Sequence, residues 1–282
     1  PPPPPPPFSP PPPPSPPPPP PPPPSFFFFS SPPDTLTTEG QITPDALAAL
    51  AALREAGLIV VPITGRPVGW CEQLAARWPV PAIVAENGAV ALFSEKNGET
   101  PAPTGDILLS KLYREDAPTR ARNMAHMQRV AARVLREVPG AALSRDSAGR
   151  ETDIAFDVAE HQQLDATQVD AILALLRAEG LHTTRSSLHV HGAVNAFDKW
   201  SGAQWAAEAL FGRRLSDELD HWVAVGDSIN DEPMFRHFRH SVGVANIARF
   251  AAQLAAPPAF VTPSARGAGF AELAQALLAA QR

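Results

Sequence analysis

Val223-Ala224-Val225-Gly226-Asp227-Ser228-Ile229-Asn230-Asp231 is the stretch that decides the fold. A short apolar run ends in Gly-Asp, and three more polar side chains follow within four residues. The run reads as a buried strand, and its polar end then falls at the carboxyl edge, where open α/β sheets place their ligands. Hard oxygen ligands grouped this tightly suit Mg²⁺, which takes one or two carboxylates and leaves its other positions to water and phosphate oxygens. The same residues would also serve as an Asx-type turn capping the next helix.

Working outward, strands and helices alternate on both sides of this stretch. Upstream, Thr43-Pro44-Asp45 supplies an N-cap, a proline at the first helical position and an acid in the first turn. Ala46 to Ala56 then runs in good helix formers to Gly57. Leu58 to Ile63 is a continuous apolar run, Val68 to Arg77 a second helix, and Ala82 to Val84 another short strand. Around the quoted stretch the order is helix Lys199 to Phe211, strand His221 to Val225, helix Asp231 to His237, strand Ser241 to Val244, strand Phe260 to Thr262 and helix Ala268 to Ala280. Alternation of this kind predicts a parallel sheet flanked by helices.

Between these halves the pattern changes. Ala89 to Phe93 with a turn at Lys96-Asn97-Gly98 reads as a hairpin. Thr119 to Val138 reads as a long helix, Thr152 to Val158 as a strand, Ala166 to Ala178 as a helix, and Thr184 to His191 as one strand. The expected organisation is a core over 34–87 and 191–282, with an inserted α+β cap over 88–190.

Two further positions carry chemistry. Thr64-Gly65-Arg66 follows a buried strand and opens a helix, where a hydroxyl and free N–H groups form a phosphate cradle; a plain helix cap is the alternative. Lys199 opens a helix, where a cation opposes the dipole, so an anionic partner is expected unless the ammonium is simply solvated.

The order Thr64, Lys199, Gly226-Asp227-Ser228-Ile229-Asn230-Asp231, with an excursion between the first two, resembles the haloacid dehalogenase (HAD) superfamily of phosphohydrolases from Asp34 to the C-terminus. Glu86-Asn87-Gly88-Ala89 and Val242-Gly243-Val244-Ala245-Asn246 are similar to the branch with a large α+β cap, which includes the Cof-like, sucrose-phosphate and mannosyl-3-phosphoglycerate phosphatases. The resemblance implies a Rossmann-like α/β core, and a Mg²⁺-dependent hydrolase of a small, sugar-like phosphate monoester working through an aspartyl-phosphate. It implies phosphate contacts from Thr64, Gly65, Arg66 and Lys199, and a metal held by Asp227 with Asn230 and Asp231 fixing its waters. Cap residues Lys111, Arg114, Arg145, Arg185 and His189 are candidates for choosing the leaving group.

The departure lies at the family's first motif, Asp-x-Asp-[Gly/Asp]-Thr-Leu. Asp34-Thr35-Leu36 fits its second half, which puts Ser31 at the nucleophile position and Pro33 at the general-acid position. A proline cannot transfer a proton, and Ser31 has no evident base. The written chain therefore also fits a non-catalytic relative that binds phosphorylated ligands.

Position 33 closes a tract of Pro, Ser and Phe alone that holds 23 of the 36 prolines. Such a tract is expected to be disordered and to form no helix or sheet ladder, except that Phe26 to Phe29 occupy the place of an apolar first strand and could pair as one by hydrophobicity alone. It can be encoded by pyrimidines alone and stands where the catalytic strand belongs, so a misread or shifted gene start is expected. A polyproline ligand for an SH3-like domain is the minor alternative. The net charge of −6 and the lack of a basic run argue against nucleic acid. A lone Cys71, no membrane-length apolar run and no signal-peptide pattern lead to a cytoplasmic expectation.

Overall fold

The computed structural model describes residues 26–29, 32–38, 41–94, 109–186 and 188–281. The chain runs β1 (Phe26–Phe29), one turn α1 (Pro32–Thr35), the hairpin β2 (Thr37–Thr38) and β3 (Gln41–Ile42), α2 (Pro44–Glu55), β4 (Ile59–Pro62), α3 (Val68–Ala75) and β5 (Ala82–Ala85). It continues through β6 (Val90–Ser94), β7 (Leu109–Tyr113), α4 (Ala117–Glu137), β8 (Ile154–Asp157), α5 (Ala166–Ala178), β9 (His182–Arg185) and β10 (His189–Ala193). It closes with α6 (Lys199–Phe211), β11 (Trp222–Gly226), α7 (Glu232–His237), β12 (His240–Gly243), β13 (Phe260–Val261) and α8 (Arg266–Ala280).

Five strands form a parallel sheet in the order β13-β12-β11-β1-β4. Side chains alternate between two apolar layers, as strands buried on both faces require. Val60, Val223 and Val225 pack with Leu50, Leu53 and Phe270 of α2 and α8 on one face. Val61, Trp222 and Ala224 pack with Ala203, Ala206 and Met234 of α6 and α7 on the other. Each large side chain fully buried this way contributes roughly 1.5–3 kcal/mol.

Strand order reverses at β1: the chain builds outward to β4 on one side and through β11, β12 and β13 on the other. A switch point of this kind opens a crevice beyond the carboxyl ends of the central strands. Phe29 pairs with both Pro62 and Val225, so Thr64 and Asp227 leave the sheet at the same level, each two residues beyond the partner of Phe29.

Phe26–Phe29 pair on both sides, with β11 and β4; unlike proline, phenylalanine keeps the N–H donor that a ladder needs. Residues 1–25 and Ser31, with the claims made for them, lie outside the described residues.

β5, β6 and β7 form an antiparallel sheet that touches β4 through a parallel bridge from Ile63 to Val84. The hairpin at the start of segment 88–190 therefore continues the edge of the core; its expected turn at Lys96-Asn97-Gly98 lies outside the described residues. The second sheet, β8-β10-β9, is covered by α4 and α5, with Met127, Val130, Val134, Ile172 and Leu176 packed on Phe156 and Val190. Where one strand was expected over Thr184 to His191, the chain folds back as β9 and β10. Ser186 makes the turn, its Oγ accepting from the N–H groups of Leu188 and His189.

Candidate functional site

Gly226 brings the quoted motif into a tight turn. A Cβ there would lie 2.5 Å from Asp231 Cγ, so only glycine lets that carboxylate fold back under the strand end. Asp231 Oδ2 accepts from the N–H groups of Asp227 at 2.9 Å and Ser228 at 3.0 Å. Its Oδ1 lies 2.7 Å from Lys199 Nζ, in an ion pair whose side chains are 1 % and 0 % exposed. Lys199 is therefore no solvated lysine. Asp198 caps α6 through the Ser201 N–H, and the first turn of the helix aims the ammonium inward. Burial lowers its pKa, opposed by Asp231 and Asp227.

Asp227 is fully buried. Oδ1 accepts from Thr35 Oγ1 at 2.8 Å, and Oδ2 from Asn246 Nδ2 at 3.3 Å, an amide that also reaches the Asp34 carbonyl at 3.0 Å. Burial, then the neighbouring charges of Asp231 and Asp34, push its pKa up to about 8. With Lys199 engaged by Asp231, this corner carries more negative charge than its own cation neutralises. A hard divalent ion fits that donor set, and the buried Asn230 Nδ2 has no partner. Among the described residues no group of three or more His, Cys, Asp and Glu is placed to hold a metal, so water and phosphate oxygens would have to complete the shell.

Thr64 is fully buried at the end of β4, its N–H bonded to the Val84 carbonyl and its Oγ1 accepting from the Arg66 N–H at 3.0 Å. The guanidinium of Arg66 turns away from the phosphate cradle. It reaches Asp146 at 3.1 Å and Glu160 at 2.7 Å, and Glu160 lies 2.8 Å from His189 Nε2. From the cap side, Arg150 donates to the Gly65 carbonyl at 3.0 Å and pairs with Asp153. Glu86 accepts from the N–H groups of Val68, Glu151 and Thr152. The loop bearing Thr64 is thus held from both sides of the seam.

The structure brings Thr64, Lys199, Asp227, Asn230 and Asp231 to one sheet edge. Of the cap candidates, Lys111 pairs with Glu72 and Glu151, Arg114 stacks 4.1 Å over Phe197, His189 faces Glu160, and Arg145 and Arg185 are exposed. None of these five lines the cavity at the seam, which is bounded instead by residues including Glu86, Asn87, Asp153, Thr184, His191 and Phe197. Thr35 and Asn246, the two donors to Asp227, stand inside motifs quoted from the sequence, but a hydroxyl or amide there carries no spacing signal of its own.

A family model described as sucrose-6F-phosphate phosphohydrolase matches residues 112–268. The chain belongs to that family. The solved structures it resembles include a sucrose-phosphatase and a HAD subclass IIB sugar phosphatase, and by its family membership the chain is a HAD-type phosphatase. A Thermoplasma acidophilum protein is 16 % identical with TM-score 0.66, covering 90 % of this chain and 97 % of its own. The Synechocystis sucrose-phosphatase, solved with sucrose and phosphate, is 16 % identical with TM-score 0.62 and coverages of 90 % and 98 %. A HAD subclass IIB sugar phosphatase is 15 % identical with TM-score 0.60, at 90 % and 98 %. At such identities the likeness shows the fold. No curated protein matches the chain. HAD phosphatases are generally Mg²⁺-dependent. Among the described residues of this sucrose-6F-phosphate phosphohydrolase family member, no helix is long and apolar enough to cross a membrane.

Proposed function

We propose that this protein is a Mg²⁺-dependent phosphomonoester hydrolase for a small, sugar-like phosphate, with a core that includes the β5-β6-β7 sheet and a cap that begins after β7 and ends with β10. The observation that carries the reading is the buried Lys199–Asp231 pair beside the overcrowded carboxylate of Asp227. Structure with no catalytic role would gain nothing from leaving Asp227 without a cation. Thr64 Oγ would donate to a phosphoryl oxygen, and Lys199 would neutralise its charge while holding Asp231. Asp231 in turn fixes the backbone of Asp227 and Ser228. Asp227 would hold Mg²⁺, with Asn230 and Asp231 orienting its waters; bound there, the ion would supply charge neutralisation for phosphoryl transfer. The carried-over residues Gly65 and Arg66 would act through the loop, Gly65 by its backbone and Arg66 through the cap carboxylates.

The nucleophile and acid positions hold Ser31 and Pro33, and this favours a second reading, a phosphate-binding relative without turnover. One experiment separates the two. With Mg²⁺ and an aryl phosphate, turnover by the chain supports the hydrolase. Orthophosphate binding without turnover, with activity appearing in a Ser31→Asp, Pro33→Asp variant, supports a hydrolase scaffold whose first motif is lost. Silence of that variant across a panel of sugar phosphates refutes the assigned roles.

A further inference from the structure

Asn246 lies just beyond β12, and its side chain ties together three parts of the chain that are remote in sequence. Nδ2 donates to Asp227 Oδ2 at 3.3 Å and to the Asp34 carbonyl at 3.0 Å, and Oδ1 accepts from the Arg266 N–H at 3.0 Å. These partners stand 19, 212 and 20 positions away, so none is a local turn contact. A primary amide has two N–H donors and one carbonyl acceptor. Both acceptors face the nitrogen and the donor faces the oxygen, which fixes the orientation of the group.

Arg266 makes its part of this arrangement in a left-handed conformation, φ 54°. A long side chain rarely adopts that region, and such strain persists only where the surroundings over-determine it. In that conformation the Arg266 N–H meets Asn246 Oδ1 while its Nε lies 3.5 Å from Asp34 Oδ1. Asp34, Asn246 and Arg266 thus close a ring of contacts. Arg249 braces it, with Nη2 3.6 Å from Asp34 Oδ2 and Nε donating to the Asn246 carbonyl at 3.3 Å. The loop itself does not need the amide to stay in place. Val244 N–H already bonds the Gly226 carbonyl and Ala245 N–H the Ser264 carbonyl.

We infer that Asn246 is the positioning residue of the Asp227 cation site: its one amide sets the plane of the Asp227 carboxylate and the register of the Asp34-Thr35 turn together. The inference rests on the reading of Asp227 as the holder of a divalent ion and adds the group that aims it. Thr35 Oγ1 donates to Oδ1 and Asn246 to Oδ2, so each carboxylate oxygen has one protein donor. A single donor would leave the carboxylate free to turn about its Cβ–Cγ bond, whereas two donors on different oxygens stop it. Thr35 directly follows Asp34, whose carbonyl Asn246 also holds, so both donors take their places from the same amide. Each oxygen keeps lone-pair capacity for a cation. Groups that orient a metal-binding side chain are typically worth about 10–100-fold in metal affinity.

The test is Mg²⁺ titration calorimetry on the full chain, in the wild-type background and in the Ser31→Asp, Pro33→Asp background, with urea unfolding in chelator alongside. Asn246→Ala should weaken Mg²⁺ binding by about 10–100-fold in any background that binds the ion. Asn246→Ser has one hydrogen to donate and one bond less of reach. It should lose affinity in the same direction, which keeps the test decisive if the alanine variant does not fold. Ser241→Ala serves as the control. It strips the Ala259 N–H of its acceptor further back along β12 without touching Asp227, and should lower the urea midpoint while leaving Mg²⁺ affinity unchanged. Wild-type Mg²⁺ affinity in a folded Asn246 variant overturns the inference, as does an equal loss of affinity in Ser241→Ala, which would trace the effect to general loosening. Absence of Mg²⁺ binding in both parent backgrounds refutes the metal reading of Asp227 and takes this inference with it.

Discussion

Asp227→Asn should make the metal-free protein more stable in mild alkali and less stable in acid. Asp227 is fully buried, with its pKa pushed up to about 8 by burial and by Asp231 and Asp34, against an ordinary 3.8. Between these values the folded carboxyl keeps a proton that the unfolded chain has released. Folding then takes up a proton, and stability falls as pH rises, by up to about 1.4 kcal/mol per pH unit. Below about pH 4 both states are protonated, and above about 8 both are ionised, so the slope is confined to that window. Asparagine removes the slope. It still accepts from Thr35 Oγ1, but its NH₂ group faces Asn246 Nδ2, and that lost bond costs on the order of 1–3 kcal/mol. The two stability curves should therefore cross between about pH 4.5 and 6. Urea unfolding in a chelator at about pH 4.5, 6 and 8 reads this directly. Added Mg²⁺ should lift the wild type at pH 8 and leave the variant unchanged. Parallel curves in chelator would refute the reasoning, because they would mean that Asp227 ionises in the fold without a cation.

Two further outcomes follow from geometry. Lys199→Met strands the Asp231 carboxylate at zero exposure and should cost about 3–5 kcal/mol in urea unfolding, most of it recovered in the Lys199→Met, Asp231→Asn double variant; an additive double variant would contradict the pairing. Gly202→Ala should lower stability by about 1–3 kcal/mol, since its Cβ would lie 2.5 Å from Gly88 Cα; a thermal midpoint equal to wild type would show that α6 can shift freely there.

The core was legible because its signals are local. Val223 to Asp231 and Leu58 to Thr64 each join an apolar run to a polar end, and the helices at Ala166–Ala178 and Lys199–Phe211 begin and end where their caps predict. The cap was less legible for physical reasons. The turn at Ser186 is made by one hydroxyl bonded to two N–H groups, without Gly or Pro to mark it, so two antiparallel strands read as one. Charged residues on either side of the seam stood out in the sequence, yet Arg66, Lys111 and His189 are each matched by carboxylates far along the chain. The cavity is lined instead by amide, hydroxyl and imidazole groups and by two paired carboxylates, Glu86 and Asp153, whose meaning depends on their partners rather than on their spacing in the chain. Ser31 and Pro33 were flagged by comparing residue types at aligned positions, which no local pattern would have done.

The contact between Gly88 and Gly202 carries a mechanical consequence. Two main chains meet there with no side chain between them, so no rotamer change can absorb relative motion. The turn that carries Asn87 and the helix that carries Lys199 must travel as one rigid piece, and the cavity floor stays in fixed register with the ammonium. Any swing of the α4–β8–α5–β9–β10 unit is then left to the two places where the chain crosses into and out of it, residues 114–116 and 194–198. Opening for substrate would have to break the Arg66 ion pairs and the Arg150 hydrogen bond to the Gly65 carbonyl first, so the energy needed to admit a ligand is set at the seam, remote from the phosphorus.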